Sequence, residues 1–197
     1  MKKTPQQFRR DNVKELFDRI LKQNQIKLSP TSIDISESIN DDFTTVSLLF
    51  VEESDNRASS VPIGNIKAKG FVDGLFLGLK NYYIDSYPTL KKIKLVDLVV
   101  NPITKKSGSL GSDARANVSL RVHVDKHGEA EFEYKSRSVV HSSFTAGLKA
   151  FEFYINCERT FLRIKSILKD AEARNRGDIA ERCMVDLSLL TGVNTYG

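Results

Sequence analysis

The chain is poor in the residues that most often announce a mechanism. Of 197 residues, two are cysteine and three are histidine. Cys157 and Cys183 both fall in stretches with helical periodicity and lack the spacing of a metal knot or a disulfide framework, so a reducing, cytoplasmic setting is expected. His123 and His127 are four apart, but on a strand and the turn after it rather than on one helical face, so they form no two-ligand zinc platform. His141 precedes a helix as a cap or cleft residue, and neither cysteine lies near a histidine in sequence, which leaves a thiol nucleophile unsupported. No catalytic residue, metal or cofactor is therefore expected. No apolar run approaches the roughly 18 residues that cross a bilayer, and Met1–Arg10 is polar without a signal core; no membrane partner is expected.

One-sided charge is also missing. The net charge of +5 is spread evenly, with 15 basic and 13 acidic residues over 1–100 and 15 and 12 over 101–197, so no basic arm exists and nucleic acid is disfavoured as a partner. With 40% hydrophobic and 28% charged residues, the composition is that of an ordinary folded protein. The length suits one domain, or two small units sharing a core.

What the chain does contain is a repeated word. Phe71-Val72-Asp73-Gly74-Leu75 returns 73 residues later as Phe144-Thr145-Ala146-Gly147-Leu148, and Val46-Ser47-Leu48 returns 72 residues later as Val118-Ser119-Leu120. Two matches in nearly one register predict an internal duplication. The expected fold is α+β, a pseudo-twofold pair of βββα units, (βββα)2, with antiparallel sheets covered by helices on one side and flanking helices at both ends. The expected segments are an amphipathic helix over 1–25, a duplicated domain over 26–157 with copies near 26–85 and 91–157, and a helical extension with a tail over 158–197.

In the first copy, strands are expected over Ile26–Ile39, Phe43–Glu53 and Val61–Gly70, separated by Asn40-Asp41-Asp42 and Glu53-Ser54-Asp55-Asn56. A helix then places Val72, Leu75, Phe76, Leu79, Tyr82 and Tyr83 on one side, and Gly74 and Gly78 within it imply close approach of another backbone. In the second copy, strands are expected near Lys92–Ile103, Ala114–Asp125 and Glu129–Val140. A helix from about Ser142 should use Phe144, Leu148, Phe151 and Ile155 inward and continue or kink toward Asn175. The tail Asp178–Gly197 reads as a further helix and a surface strand.

Lys69-Gly70-Phe71-Val72-Asp73-Gly74-Leu75-Phe76, a strand ending in Val96-Asp97-Leu98, a Gly-Ser-Asp-Ala turn at Gly111–Ala114, and Ser138–Ser143 opening the last helix together resemble the C-terminal regulatory domain of alpha-isopropylmalate synthase and citramalate synthase, over roughly residues 30–157. The resemblance implies a (βββα)2 domain that forms a homodimer and binds leucine, isoleucine or a similar small amino-acid effector, in leucine or isoleucine biosynthesis. The catalytic barrel that precedes this domain in the family needs about 250 residues and is missing, so the chain is expected to be a non-enzymatic, free-standing relative, acting on a separate synthase catalytic subunit, or a fragment of a longer enzyme.

The implied effector residues are Gly70, Val72, Leu98, Asp113 and Ala114. Helix starts at Gly70–Asp73 and Ser142–Thr145 offer amide N–H groups to a carboxylate, Asp113 answers an ammonium, and Val72, Leu98 and Ala114 line an apolar wall. The family turn Gly-x-Gly-Pro is replaced here by Ala68-Lys69-Gly70-Phe71. This puts a bulky ring and a lysine beside the pocket, so the alternative expectation is a structural dimerisation or protein-interaction domain that has lost effector binding, with an RNA-binding domain the third reading.

Overall fold

A computed structural model describes residues 5–37, 40–103 and 115–196. Among them, four helices and six strands follow the order α1 (Pro5–Ile20), β1 (Lys27–Glu37), β2 (Thr44–Ser54), β3 (Arg57–Ala68), α2 (Phe71–Tyr83), β4 (Ile93–Ile103), β5 (Arg115–Val124), β6 (Gly128–Ser136), α3 (Val139–Ala173) and α4 (Gly177–Thr191). The fold is α+β, and the order strand–strand–strand–helix occurs twice. Each set of strands makes its own antiparallel sheet, β1-β2-β3 and β4-β5-β6.

Local chemistry explains the elements. In β2, Thr44, Val46, Leu48 and Phe50 are buried while Thr45, Ser47, Leu49 and Val51 between them are half-buried, the alternation of a strand with one covered face. In β5, Val118, Leu120, Val122 and Val124 are likewise buried, and Ser119 on the other face is buried as well. Asp55 and Asn56 take positive φ of 53° and 60°, a tight turn that sends β2 directly into β3. The third strand therefore starts at Arg57, four residues before the Val61 expected from hydrophobicity. Pro30, which has no N–H, sits at a bulge of the edge strand β1, where a missing ladder bond is tolerated.

α2 lies on β2 and β3, while α3 lies on β5 and β6, crosses β1 and meets α1, α2 and α4. One continuous core results, running from Val13, Leu16 and Phe17 of α1 through Phe50, Leu79, Val122 and Phe151 to Leu190 of α4. Each large side chain removed from water contributes about 1.5–3 kcal/mol. α3 is unbroken from Val139 through Ala173, so the boundary expected at 157/158 falls inside a helix.

Two expectations are corrected. The helical glycines admit side chains rather than another backbone: a Cβ on Gly74 would lie 2.8 Å from Val46 Cγ2, and one on Gly78 would lie 2.2 Å from Ile66 Cδ1. The tail forms no strand among the described residues after Thr191; it folds back instead, with Val193 and Asn194 buried and Tyr196 stacked on Phe161 at 4.0 Å.

The repeated word is placed differently in the two copies. Phe71 opens α2, whereas Phe144 lies five positions inside α3, which opens at Val139. Gly74 faces its own sheet at Val46, while Gly147 faces the other helix, where a Cβ would lie 3.0 Å from Leu75 Cδ2.

Candidate functional site

Contacts between the two repeat helices follow the same order along both. Leu75 meets Gly147 and Phe76 stacks edge-on against Phe151 at 5.0 Å. Farther along, the Thr89 N–H and hydroxyl donate to Glu158, at 3.1 and 2.6 Å. α2 and α3 thus start toward the same end. At that end Gly70 caps α2 in extended backbone (φ −157°, ψ 165°), and its carbonyl accepts from the Gly74 N–H at 2.9 Å. A Cβ on Gly70 would meet only Asp73 Oδ2, at 3.9 Å, so no close approach there demands glycine.

Val72 is half-buried in the first turn of α2, and Leu98 is half-buried on β4 opposite Leu120. These residues belong to different sheets: α2 rests on β2 and β3, and β4 pairs with β5. Asp113 and Ala114, with the whole Gly111–Ala114 turn, lie outside the described residues. At the start of α3, Ser138 accepts from the His141 N–H at 3.2 Å, a side-chain cap that occupies one of the free amides. The His141 ring packs against Tyr134 at 5.5 Å, inside the helix rather than before it.

The larger hollows lie elsewhere. One, of about 550 Å³, runs between α1, β6 and α3; its lining includes Arg10, Lys14, Phe17, Lys149, Glu152 and Phe153. Another of about 380 Å³ runs from Gln23 to the β2–β3 turn, and a small one of about 20 Å³ lies under His127 and Val193. None of the three takes in Gly70, Val72 or Leu98.

The first hollow combines both signs of charge with aromatic walls. Arg10 lies over the ring of Phe132 at 4.1 Å and that of Phe153 at 5.4 Å, and donates to the Glu131 carbonyl on the open edge of β6. The Lys149 ammonium reaches the next outward carbonyl, Glu133, at 3.5 Å. Two cations thus cover an edge that could otherwise pair with another chain.

Across the hollow, α3 does the same for β1. Asn156, buried, accepts from the Ile26 N–H and donates to the Ile26 carbonyl, both at 2.8 Å, and Glu152 accepts from the Leu28 N–H at 2.9 Å. Burial pushes the Glu152 carboxyl above the usual carboxylate range, against the opposing pull of that N–H and of Lys149, Lys14 and Lys27. Sequence reasoning missed both residues. Glu152 and Asn156 stand four apart on one helical face, a polar pair within an apolar stretch, and that break in pattern was the available signal.

Both cysteines are buried. Cys157 is fully buried and burial pushes its thiol up, as it does for Cys183. His127 is held by Thr195 at 3.0 Å, and burial lowers its pKa. Among the described residues no group of three or more His, Cys, Asp or Glu is arranged to hold a metal ion, and no helix is long and apolar enough to cross a membrane. Comparison with known proteins yields no matching family model and no matching curated protein.

Proposed function

We propose that this chain is a non-catalytic, regulatory-type domain that binds a small amino-acid-like effector and works as a homodimer in the cytoplasm. The single observation that carries the reading is the 550 Å³ hollow beside α3, which pairs acidic and basic side chains with three buried aromatic rings, the complement of a molecule with two opposite charges and an apolar body. The likeness to the regulatory domain of the alpha-isopropylmalate synthases supports a branched-chain amino acid as that molecule and a synthase as the regulated partner. Duplication is supported by the twice-occurring βββα order.

The dimer reading draws on apolar side chains at matching places in the two units. Ile35 of β1, opposite Val46, and Val100 of β4, opposite Val118, point to the covered side of their sheets yet stay 36% and 41% exposed. A second copy would cover them, and light scattering on the full chain should return twice the mass of 22.2 kDa; a monomer at micromolar concentration contradicts the dimer.

Thermal unfolding with leucine, isoleucine and valine tests the effector. A ligand present at 100 times its dissociation constant adds about 2.7 kcal/mol, so at least one of the three at millimolar concentration should raise the midpoint. No shift with any of them contradicts the reading.

A further inference from the structure

We propose that Glu152 is the ammonium-binding group of a ligand site in the hollow between α1, β6 and α3, and that the ligand is a zwitterion whose carboxylate lies toward Lys14 and Lys149. This rests on the effector reading above and names where on the chain the effector docks.

The argument begins with an incomplete pairing. Glu152 Oε2 is occupied by the Leu28 N–H at 2.9 Å, while Oε1 opens to the hollow with no hydrogen-bond partner and no cation within ion-pair distance among the described residues. A half-buried carboxylate in this condition has lost part of its hydration, and Lys149, Lys14 and Lys27 act on it only from beyond ion-pair distance. The nearest candidates are committed or distant. Arg10 is held over Phe132 and Phe153 and bonded to the Glu131 carbonyl, so it is not free to turn. Lys149 lies over the Tyr134 ring at 4.7 Å and reaches Glu133, and Lys14 is exposed on the rim.

The other acids of the lining are less suited. Asp18 accepts from Gln25 at 2.8 Å, the Glu131 carboxylate is taken by the Ser119 hydroxyl on the opposite side of the sheet from the buried Phe132, Glu133 is exposed, and Asp11 acts on Arg10. An ammonium entering the hollow therefore finds the half-buried Glu152 oxygen, with Phe17, Phe132 and Phe153 for an apolar body; for an anionic end the rim offers the exposed Lys14 and Lys149, whose exposed contact to the Glu133 carbonyl is long at 3.5 Å. The volume of about 550 Å³ lies within the range of small-molecule sites, about 300–1,000 Å³.

Glu152 also caps the edge of β1, and the test must separate the two roles. Glu152→Gln retains an acceptor for the Leu28 N–H and removes the charge. Calorimetric titration of the full chain would use three probes with one branched body: leucine, isoamylamine, which lacks the carboxylate, and 4-methylpentanoate, which lacks the ammonium. The expected order is leucine first, isoamylamine weaker, and 4-methylpentanoate without measurable binding. Glu152→Gln should weaken leucine at least tenfold, and Lys14→Ala with Lys149→Ala should weaken leucine but not isoamylamine.

A measurement on the unsubstituted chain guards against a variant that fails to fold: leucine should move the Leu28 amide resonance saturably. Equal leucine affinity in the wild type and Glu152→Gln, or an unmoved Leu28 amide at saturation, overturns this site while leaving an effector elsewhere on the chain. Binding of the acid but not the amine overturns it as well. No binding of leucine, isoleucine or valine by the wild type overturns the site and the effector reading together.

Discussion

The two βββα units share a word and use it for different purposes. In the first unit, Phe71 to Leu75 opens a helix of 13 residues, and Gly74 lets that helix settle on Val46 of its own sheet. In the second, Phe144 to Leu148 lies inside a helix of 35 residues, and Gly147 lets it approach Leu75 of the first unit. A glycine in a helix costs roughly 1 kcal/mol relative to alanine, and in each copy that cost is offset by a different contact. One helix covers a sheet. The other covers a sheet, crosses β1, and meets the three remaining helices, so the second unit holds the molecule together.

The strongest way to break this comparison is to cut the contact between the helices. Phe151 is fully buried and edge-on to Phe76, so Phe151→Ala should cost about 3–5 kcal/mol in urea unfolding. A cost below about 1 kcal/mol would mean the helices do not depend on each other. The clamp on β1 comes next. Asn156→Ala leaves the N–H and carbonyl of Ile26 without their partner in a buried place, at about 1–3 kcal/mol per group; an unchanged urea midpoint would show that α3 does not secure the first sheet.

The paired glycines sharpen the comparison further. At Gly74 a methyl group meets the stiff, branched Val46 at 2.8 Å, so Gly74→Ala should lose about 1–3 kcal/mol to overpacking. At Gly147 it meets the end of the flexible Leu75 side chain at 3.0 Å, and the gain in helix propensity offsets most of the strain. Gly147→Ala should therefore be the milder change, and Gly70→Ala, with open space and an extended φ, milder still. The reverse order in thermal midpoints would contradict the packing described.

The smallest expected effect is a pH dependence. Because the folded Glu152 carboxyl titrates above its unfolded value of about 4.3, the folded chain binds more protons than the unfolded one between those two values. Stability from this group is therefore complete below the lower value and is lost as pH rises through the upper one. Glu152→Gln should remove that decline; a wild type and variant with parallel stability-versus-pH curves would show that Glu152 is not desolvated.

Much of this organisation was legible in the chain. Alternation in Val118, Leu120, Val122 and Val124 marked the central strand, and Leu75, Phe76, Leu79 and Tyr83 marked the buried side of α2. Two things were not legible, for physical reasons. Glycine records that something comes close, but its sequence carries no record of what, and Val46 and Leu75 became partners only through the tertiary path. Likewise, Asn156 and Glu152 read as ordinary polar helix residues until β1 is laid beside α3 with its backbone groups facing them. Of the five expected effector residues, Gly70 and Val72 belong to the start of α2 on the first sheet and Leu98 to the second sheet, and the larger hollow formed beside α1, a helix outside the two βββα units.

Native-state hydrogen exchange tests most directly whether α3 makes one body of the two units. Amides of Val46, Leu48 and Phe50 in the first sheet and of Val118, Leu120 and Val122 in the second should exchange with the same opening free energy, equal to that of global unfolding. A first sheet that opens at lower free energy while the second stays protected would contradict the account.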